Sequence, residues 1–268
     1  MLPFETHPEW PESFARTNLC DQLEIWGERF NAPYAELYRQ RRMETLNALQ
    51  NYCTAQGRIL DLAAAGGNFT IAAAELGYQV TWNDLRSELV DYVKLKATEE
   101  LPIEYLSGNI FELGSEWEQA FDGVMALEVI EHVAHPNEFL EKLSRLIKPD
   151  GTIIVSTPNG AYFRNDLPRF SDFPDPSIFE SVQFQPNSDG HIFLLYEDEM
   201  RSLGEKAGLR MIDYRQFTNP LSAGHIKLRH LHKVIPQAVM NFQEILSRKL
   251  PARLVATLMT SSLAIYRK

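Results

Sequence analysis

Arg58-Ile59-Leu60-Asp61-Leu62-Ala63-Ala64-Ala65-Gly66-Gly67-Asn68-Phe69-Thr70 runs from an apolar strand pattern into a small-residue turn. A short apolar run ends in small residues, and a helical pattern follows. The arrangement returns at Val80-Thr81-Trp82-Asn83-Asp84 and at Phe121-Asp122-Gly123-Val124-Met125-Ala126-Leu127-Glu128-Val129-Ile130-Glu131. Apolar runs alternating with helical patterns are the signature of parallel strands joined by crossover helices. Ligands of such sheets bind at the carboxyl ends of the strands, which is where Asp61, Asp84 and Glu128 fall. Three acids there suit a ligand carrying hydroxyls and positive charge better than a pyrophosphate.

The 268 residues fit one large α/β domain with extensions, and 44% hydrophobic residues with 11% aromatics are enough for a sizeable core. A formal net charge of −10 argues against a nucleic-acid partner. Cys20 and Cys53 lack metal or redox spacing and fit a reducing compartment. Prolines and acids stand near the start, where a signal peptide needs an apolar core. The mildly apolar stretch Leu254 to Tyr266 is shorter than the roughly 20 residues that span a bilayer. The expected location is cytoplasmic.

Residues 1–57 read as an N-terminal helical cap, with Tyr34, Leu37, Tyr38, Arg41 and Arg42 leading into Leu46, Leu49 and Tyr52 at helical spacing. Residues 58–219 read as the core. Its strands are expected at Arg58–Leu62, Gln79–Trp82, Ile103–Leu106, Gly123–Leu127, Thr152–Ser156 and Arg210–Phe217. Its helices are expected at Asn68–Leu76, Ser87–Ala97, Asn137–Ile147 and Glu197–Ala207, with a turn at Lys148-Pro149-Asp150-Gly151. Within the core, 157–190 breaks the rhythm with five prolines (Pro158, Pro168, Pro174, Pro176, Pro186) and six aromatics (Tyr162, Phe163, Phe170, Phe173, Phe179, Phe184). So long a loop is usually functional, and its aromatics predict a packed lid closing over an acceptor. Residues 220–268 read as a helical insertion plus a last strand, Ser262–Tyr266.

In order, Leu60-Asp61-Leu62-Ala63-Ala64-Ala65-Gly66-Gly67, Asp84, Glu128-Val129-Ile130-Glu131-His132-Val133, Lys148-Pro149-Asp150-Gly151 and Val155-Ser156-Thr157-Pro158-Asn159 carry a resemblance. Over roughly residues 40–268 the chain resembles the class I S-adenosylmethionine-dependent methyltransferases, and among them the ubiquinone-biosynthesis type O-methyltransferases. The resemblance implies a doubly wound, mostly parallel, seven-stranded Rossmann-like α/β sheet with an antiparallel last strand and helical N-terminal and late insertions. One departure stands out: Ala63 and Ala65 occupy positions where the family loop usually has glycine, which alone adopts positive φ freely.

The resemblance implies S-adenosylmethionine as cofactor, with Asp61 and the Ala63–Gly67 backbone at its methionine end and Arg42 pairing its carboxylate. Asp84 would accept the ribose hydroxyls, Asn109 the adenine amino group through its carbonyl oxygen, and the backbones of Ile110 and Leu127 would frame adenine and sulfur. Asp84 also reads as a helix N-cap before Arg86–Val93, and Arg42 as part of a solvated helix face.

Methyl transfer to an oxygen needs in-line placement and removal of a proton, by a base or a metal. If helical geometry begins at the end of the fourth strand, Glu128, Glu131 and His132 fall on one face. Together with His191, in Asp189-Gly190-His191-Ile192-Phe193, they resemble the metal site of the small-RNA 3′-terminal 2′-O-methyltransferases. A divalent ion such as Zn, Mn, Fe or Co suits that mixed set, while RNA as substrate is disfavoured by the net charge. Without a metal, His132 reads as a general base, and Glu131 as the group that orients the next helix. His135 reads as structural. The expected function is O-methylation of a small-molecule hydroxyl with metal-assisted deprotonation. The alternatives are a metal-independent N- or O-methyltransferase using His132, and a catalytically inactive cofactor-binding regulatory protein.

The segment 224–254 carries Lys227, Arg229, Lys233, Arg248, Lys249 and Arg253 against the lone acid Glu244, interleaved with apolar residues and with His225, His230 and His232. It reads as a contact for an anionic substrate or a membrane surface, or as a cap or homodimer helix with a solvated basic face.

Overall fold

The computed structural model describes residues 7, 9–25, 32–97, 100–183, 190–225 and 235–268. Two helices, α1 (Glu12–Glu24) and α2 (Ala32–Tyr52), precede the sheet. Its strands are β1 (Arg58–Leu62), β2 (Gln79–Asp84), β3 (Ile103–Ser107), β4 (Phe121–Leu127), β5 (Ile147–Pro158), β6 (Arg210–Phe217) and β7 (Ser261–Arg267). The connecting helices are α3 (Asn68–Glu75), α4 (Leu89–Lys96), α5 (Pro136–Leu146) and α6 (Glu197–Lys206), while α7 (Gln237–Ser247) and α8 (Ala252–Leu258) lie between β6 and β7.

The sheet order is β3-β2-β1-β4-β5-β7-β6, with β7 antiparallel to both neighbours and the remaining pairs parallel. The doubly wound, seven-stranded reading therefore holds. β1 lies between β2 and β4, so its apolar run is covered on both faces and Ile59 to Leu62 are buried. The chain departs for opposite edges from β1, and the crevice at the carboxyl ends of β1 and β4 is the topological switch point where ligands of such sheets bind.

α5 shows why these helices form. Pro136 opens it at the first helical position, and Phe139, Leu140, Leu143 and Leu146 are buried on one side. Each contributes roughly 1.5–3 kcal/mol of apolar burial. Lys148-Pro149-Asp150-Gly151 is not a free turn as the sequence suggested. β5 runs through it, with a register shift opposite Phe121 to Gly123, and Lys148 Nζ donates to Asp122 Oδ1 at 2.8 Å.

α7 is internal on one side, where its composition implied a free basic face. Glu244 is buried and accepts from the Thr218 and Asn219 amides. Arg248 donates to Glu44 and Glu244 instead of facing solvent as part of a free basic face. Val239, Phe242, Ile245 and Leu246 of α7 are exposed. Residues 226–234, with Lys227, Arg229, His230, His232 and Lys233, lie outside the described residues. Among the described residues, no helix is long and apolar enough to cross a membrane.

Candidate active site

The loop after β1 forms the floor of the crevice. Ala63 and Ala65 both take positive φ, 52° and 45°, and Gly67 follows at 71°. The alanines adopt the glycine-like backbone at a cost on the order of 1 kcal/mol each, because the loop is held from several sides. Ala64 N donates to Asn83 O, Ala65 N to Asp84 Oδ2, and Trp82 Nε1 to Ala65 O. Gly66 admits no side chain, since a Cβ there would stand 2.9 Å from Thr17 Cγ2. Asp61 is buried and accepts from Thr70 Oγ1 at 2.5 Å. Burial, only partly offset by that bond, pushes its carboxyl up to about 7.

α1 is the wall that the sequence left unassigned. Arg16, Thr17, Cys20, Asp21 and Glu24 all line the crevice. The helix is pinned by a buried network in which Asp21 accepts from Asn68 Nδ2, Tyr92 OH and Lys96 Nζ at 2.6–2.7 Å. Lys96 also reaches Asn68 Oδ1 at 2.8 Å. The available signal was the polar row Thr17, Asp21 and Glu24, spaced by helical turns on one face.

Asp84 ends β2 beside this floor and lines the crevice. Arg86 closes onto it, Nε to Oδ1 at 2.9 Å and Nη2 to Oδ2 at 3.1 Å, and the Arg86 amide adds a third bond. Asp84 does not cap α4, whose N-cap position is Glu88. Asn109 and Ile110 fall outside the crevice lining. Asn109 Oδ1, read as an adenine acceptor, caps a short 3-10 turn by accepting from Phe111 N at 3.0 Å. Ile110 is buried in the core.

α2 presents Tyr38 and Arg41 to the crevice, and Arg42 is absent from its lining. Arg41 and Arg42 stand three and four residues beyond Tyr38, so helical spacing brings both near its face and does not choose between them. Arg41 Nη2 donates to Glu128 Oε2 at 2.9 Å, while its Nε is buried without a partner. Nearby, Glu24 accepts from Tyr34 OH at 3.3 Å. Burial pushes the Glu24 carboxyl up to about 7, although Arg41 opposes the rise.

The loop after β4 carries the reactive groups, though not on a helix face. Glu128 has φ of 55°, so helical geometry starts only with a 3-10 turn at Ile130–His132. This turns Glu128 toward Arg41 and Ser156, whose Oγ donates to Glu128 Oε1 at 2.9 Å. Glu131 is buried. One of its oxygens accepts from Thr157 Oγ1 at 3.0 Å, and Oε1 has no partner. Burial first, and the charge of Glu128 second, hold its carboxyl well above the usual range.

Ligand atoms of Glu131, His132 and His191 lie within 4.8 Å of one another. The two imidazole rings are 5.0 Å apart at their centroids. His132 Nδ1 is 3.0 Å from Gly190 O. A carbonyl only accepts, so Nδ1 carries the proton and Nε2 is left with its lone pair, the tautomer a metal-ligating histidine needs. Burial and the facing His132 hold His191 below the usual imidazole range. Ile192 N donates to Glu131 O at 2.9 Å, which ties the two segments of the site together. Of the four residues expected to hold a metal, three are brought together and Glu128 is engaged elsewhere.

The segment from 157 serves this loop from behind. Gln183 Oε1 accepts from Ala134 N at 2.9 Å, and Glu180 meets His135 Nε2 at 2.7 Å. Phe170, Phe173 and Phe179 pack around Phe193 in the core. Among the described residues, none from 157 to 183 lines this crevice, and Glu180 and Gln183 support the loop after β4. Phe184, Pro186 and Asp189 lie outside the described residues.

The crevice measures about 550 Å³ and reaches from Asp84 through Asp61 and Leu127 to Glu128 and His132. That volume suits a nucleoside-sized ligand. A family model described as a methyltransferase domain matches residues 34–214. A ubiquinone biosynthesis O-methyltransferase of Xanthomonas campestris pv. campestris (strain B100) is 34% identical over 127 residues, 45% of this chain and 53% of that protein. The chain thus spans about half the length of the curated relatives it matches. Among solved structures, an S-adenosylmethionine dependent methyltransferase from Mesorhizobium loti aligns with a TM-score of 0.57 at 15% identity, covering 83% of this chain and 96% of that one. The [4+2]-cyclase SpnF aligns with a TM-score of 0.54 at 17% identity, over 85% and 80% of the two chains. The shared architecture therefore hosts more than one chemistry, and the reaction must be argued from the side chains.

Proposed function

The chain belongs to the class I S-adenosylmethionine-dependent methyltransferase family, and from that premise we propose that it methylates a hydroxyl of a small molecule with help from a divalent ion. The observation that carries this reading is the Glu131–His132–His191 cluster, because His132 belongs to it and also lines the cofactor crevice. The donor set fits an ion: a buried carboxylate oxygen without a partner and an imidazole whose other nitrogen is already bonded to a carbonyl. Ligand atoms held tetrahedrally at roughly 2.0–2.2 Å from one ion stand about 3.4 Å apart, so a cluster whose atoms lie within 4.8 Å of one another draws together to hold one. When bound, a divalent ion lowers the pKa of a hydroxyl it contacts.

The remaining work falls to the chain's own groups. The loop Ala63–Gly67 and Asp61 receive the methionine end, with Arg41, rather than Arg42, for its carboxylate. Asp84 accepts from the ribose, sharing its oxygens with Arg86. α1 roofs the crevice and limits water, which strengthens the attraction of Asp61 and Glu128 for the ammonium and sulfonium. His132 Nε2 stands ready for a proton or for an ion, and the same observation supports the second reading, a metal-free enzyme with His132 as general base. Release of S-adenosylhomocysteine should be measured against phenols, catechols and sugars, with chelator and with added Mn²⁺ or Zn²⁺. Loss of turnover with chelator and its return with the ion support the metal reading. Full turnover in the stripped enzyme would leave His132 as the base.

A further inference from the structure

Arg41 stands between the two halves of this site. It reaches from α2 to the loop after β4, and its side chain and that of Glu128 are 14% and 22% exposed. Its charged and titratable neighbours are Glu128, Glu24, Tyr34 and Glu131. Among the described residues Nη2 bonds Glu128, and Nε is buried without a partner. A guanidinium carries five donors in a rigid fork suited to carboxylates, so this one is under-used and lies in the wall of the crevice. Glu128, meanwhile, has its two oxygens taken by Arg41 and Ser156. It is absent from the cluster of Glu131, His132 and His191, although it stands three residues before Glu131 on the same loop.

We propose that Arg41 links the two ligands of the site: a carboxylate arriving with the cofactor draws the guanidinium away from Glu128 and frees Glu128 to complete the metal-binding set. This deepens the metal reading given above and rests on it. The physical basis is competition for one cation. While Arg41 neutralises Glu128, that carboxylate is a poor ligand for a second positive charge. Once a cofactor carboxylate satisfies Arg41, Glu128 is a bare anion three residues before the buried Glu131. That imbalance is relieved by a divalent cation. Linkage makes the effect reciprocal, so the ion must tighten cofactor binding by the same factor. The enzyme would then bind its metal well only when the methyl donor is in place.

Co²⁺ is a suitable probe, because its visible absorption reports both affinity and coordination. The wild-type protein is titrated with Co²⁺ alone and again with saturating S-adenosylhomocysteine. The expected result is at least a fivefold tighter dissociation constant in the second titration, with a change in the absorption band as a ligand is added. Arg41→Met should bind Co²⁺ without the product as tightly as the wild type does with it, and should show no further gain. Glu128→Gln keeps the packing and should leave the first titration unchanged while abolishing the gain in the second. Equal Co²⁺ affinity in the two wild-type titrations would overturn the link while leaving the metal reading intact, as would a gain that persists in Arg41→Met. No Co²⁺ binding in either titration would remove both.

Discussion

The loops after β1 and β4 are built alike and used differently. Each follows an interior parallel strand, and each holds non-glycine residues at positive φ: Ala63 and Ala65 in the first, Glu128 in the second. In the first loop the main chain is satisfied within the protein, through Asn83, Asp84 and Trp82. The second instead exposes functional side chains to one another. It leaves Glu131 Oε1 without a partner and sets His132 against His191 across a distance in sequence. A surface whose polar groups are satisfied keeps its shape for a ligand, whereas groups buried without partners are costly and persist where a ligand compensates them. In the function proposed above, the first loop is a cradle and the second holds the reactive groups.

Substitutions can break this division, and the largest effect is expected at the second loop. His191→Ala should lower turnover on the order of 10²–10⁴-fold, the range a positioned proton-removing arrangement contributes. Calorimetric affinity for S-adenosylmethionine should change little. Comparable losses in both would mean the two loops act as one cofactor site. The next effect belongs to the cradle: Asp84→Ala should weaken cofactor binding at least about tenfold, from loss of charge-assisted bonds to the ribose. Unchanged affinity in the same titration would move the ribose elsewhere.

A third test uses pH. The Asp61 carboxyl is pushed up to about 7, chiefly by burial, so free protein holds a proton there below that pH. The proposed pairing with the cofactor ammonium requires the carboxylate, so binding below about pH 7 must first expel the proton. Affinity should therefore fall with decreasing pH, by up to about tenfold per unit for this one group. Titrations from about pH 5.5 to about 8 should show the slope in wild type and a shallower one in Asp61→Asn; a flat wild-type profile would contradict the ionised form. For stability of the free protein the sign is opposite to the usual carboxylate case. Asp61 binds its proton more tightly folded than unfolded, so its contribution is fully present at low pH and is lost as pH rises through about 7.

The smallest effect separates strain from shape. Ala65→Gly removes strain of about 1 kcal/mol but adds a comparable unfolded-state entropy, so the melting temperature should stay level or rise slightly. Ala73→Gly, in the ordinary helical backbone of α3, should lower it by about 1 kcal/mol or more of stability. Equal losses at the two positions would mean that positive φ at Ala65 carries no strain.

The sequence by itself determined the sheet. Apolar runs such as Ile59–Leu62 and Val124–Leu127 are buried on both faces wherever they pair, so their periodicity specifies strands without reference to distant residues. β6, read at Arg210–Phe217, is found there to the residue. The same local logic placed Asp61 and Asp84 at the strand ends, since a strand's terminus is fixed by its own pattern. Other contacts lie beyond what one element's periodicity can contain. Helical spacing leaves Arg41 and Arg42 equal, and packing puts Arg41 in the crevice wall. Asn109 was taken up by a cap on Phe111, a use its type allows as readily as a ligand contact. Glu128 left the metal set because its backbone turned left-handed before any helix began, and an ion pair from 87 residues away held it there. Charge pairing and backbone strain of that kind are settled by what the rest of the chain brings alongside, which no local spacing records.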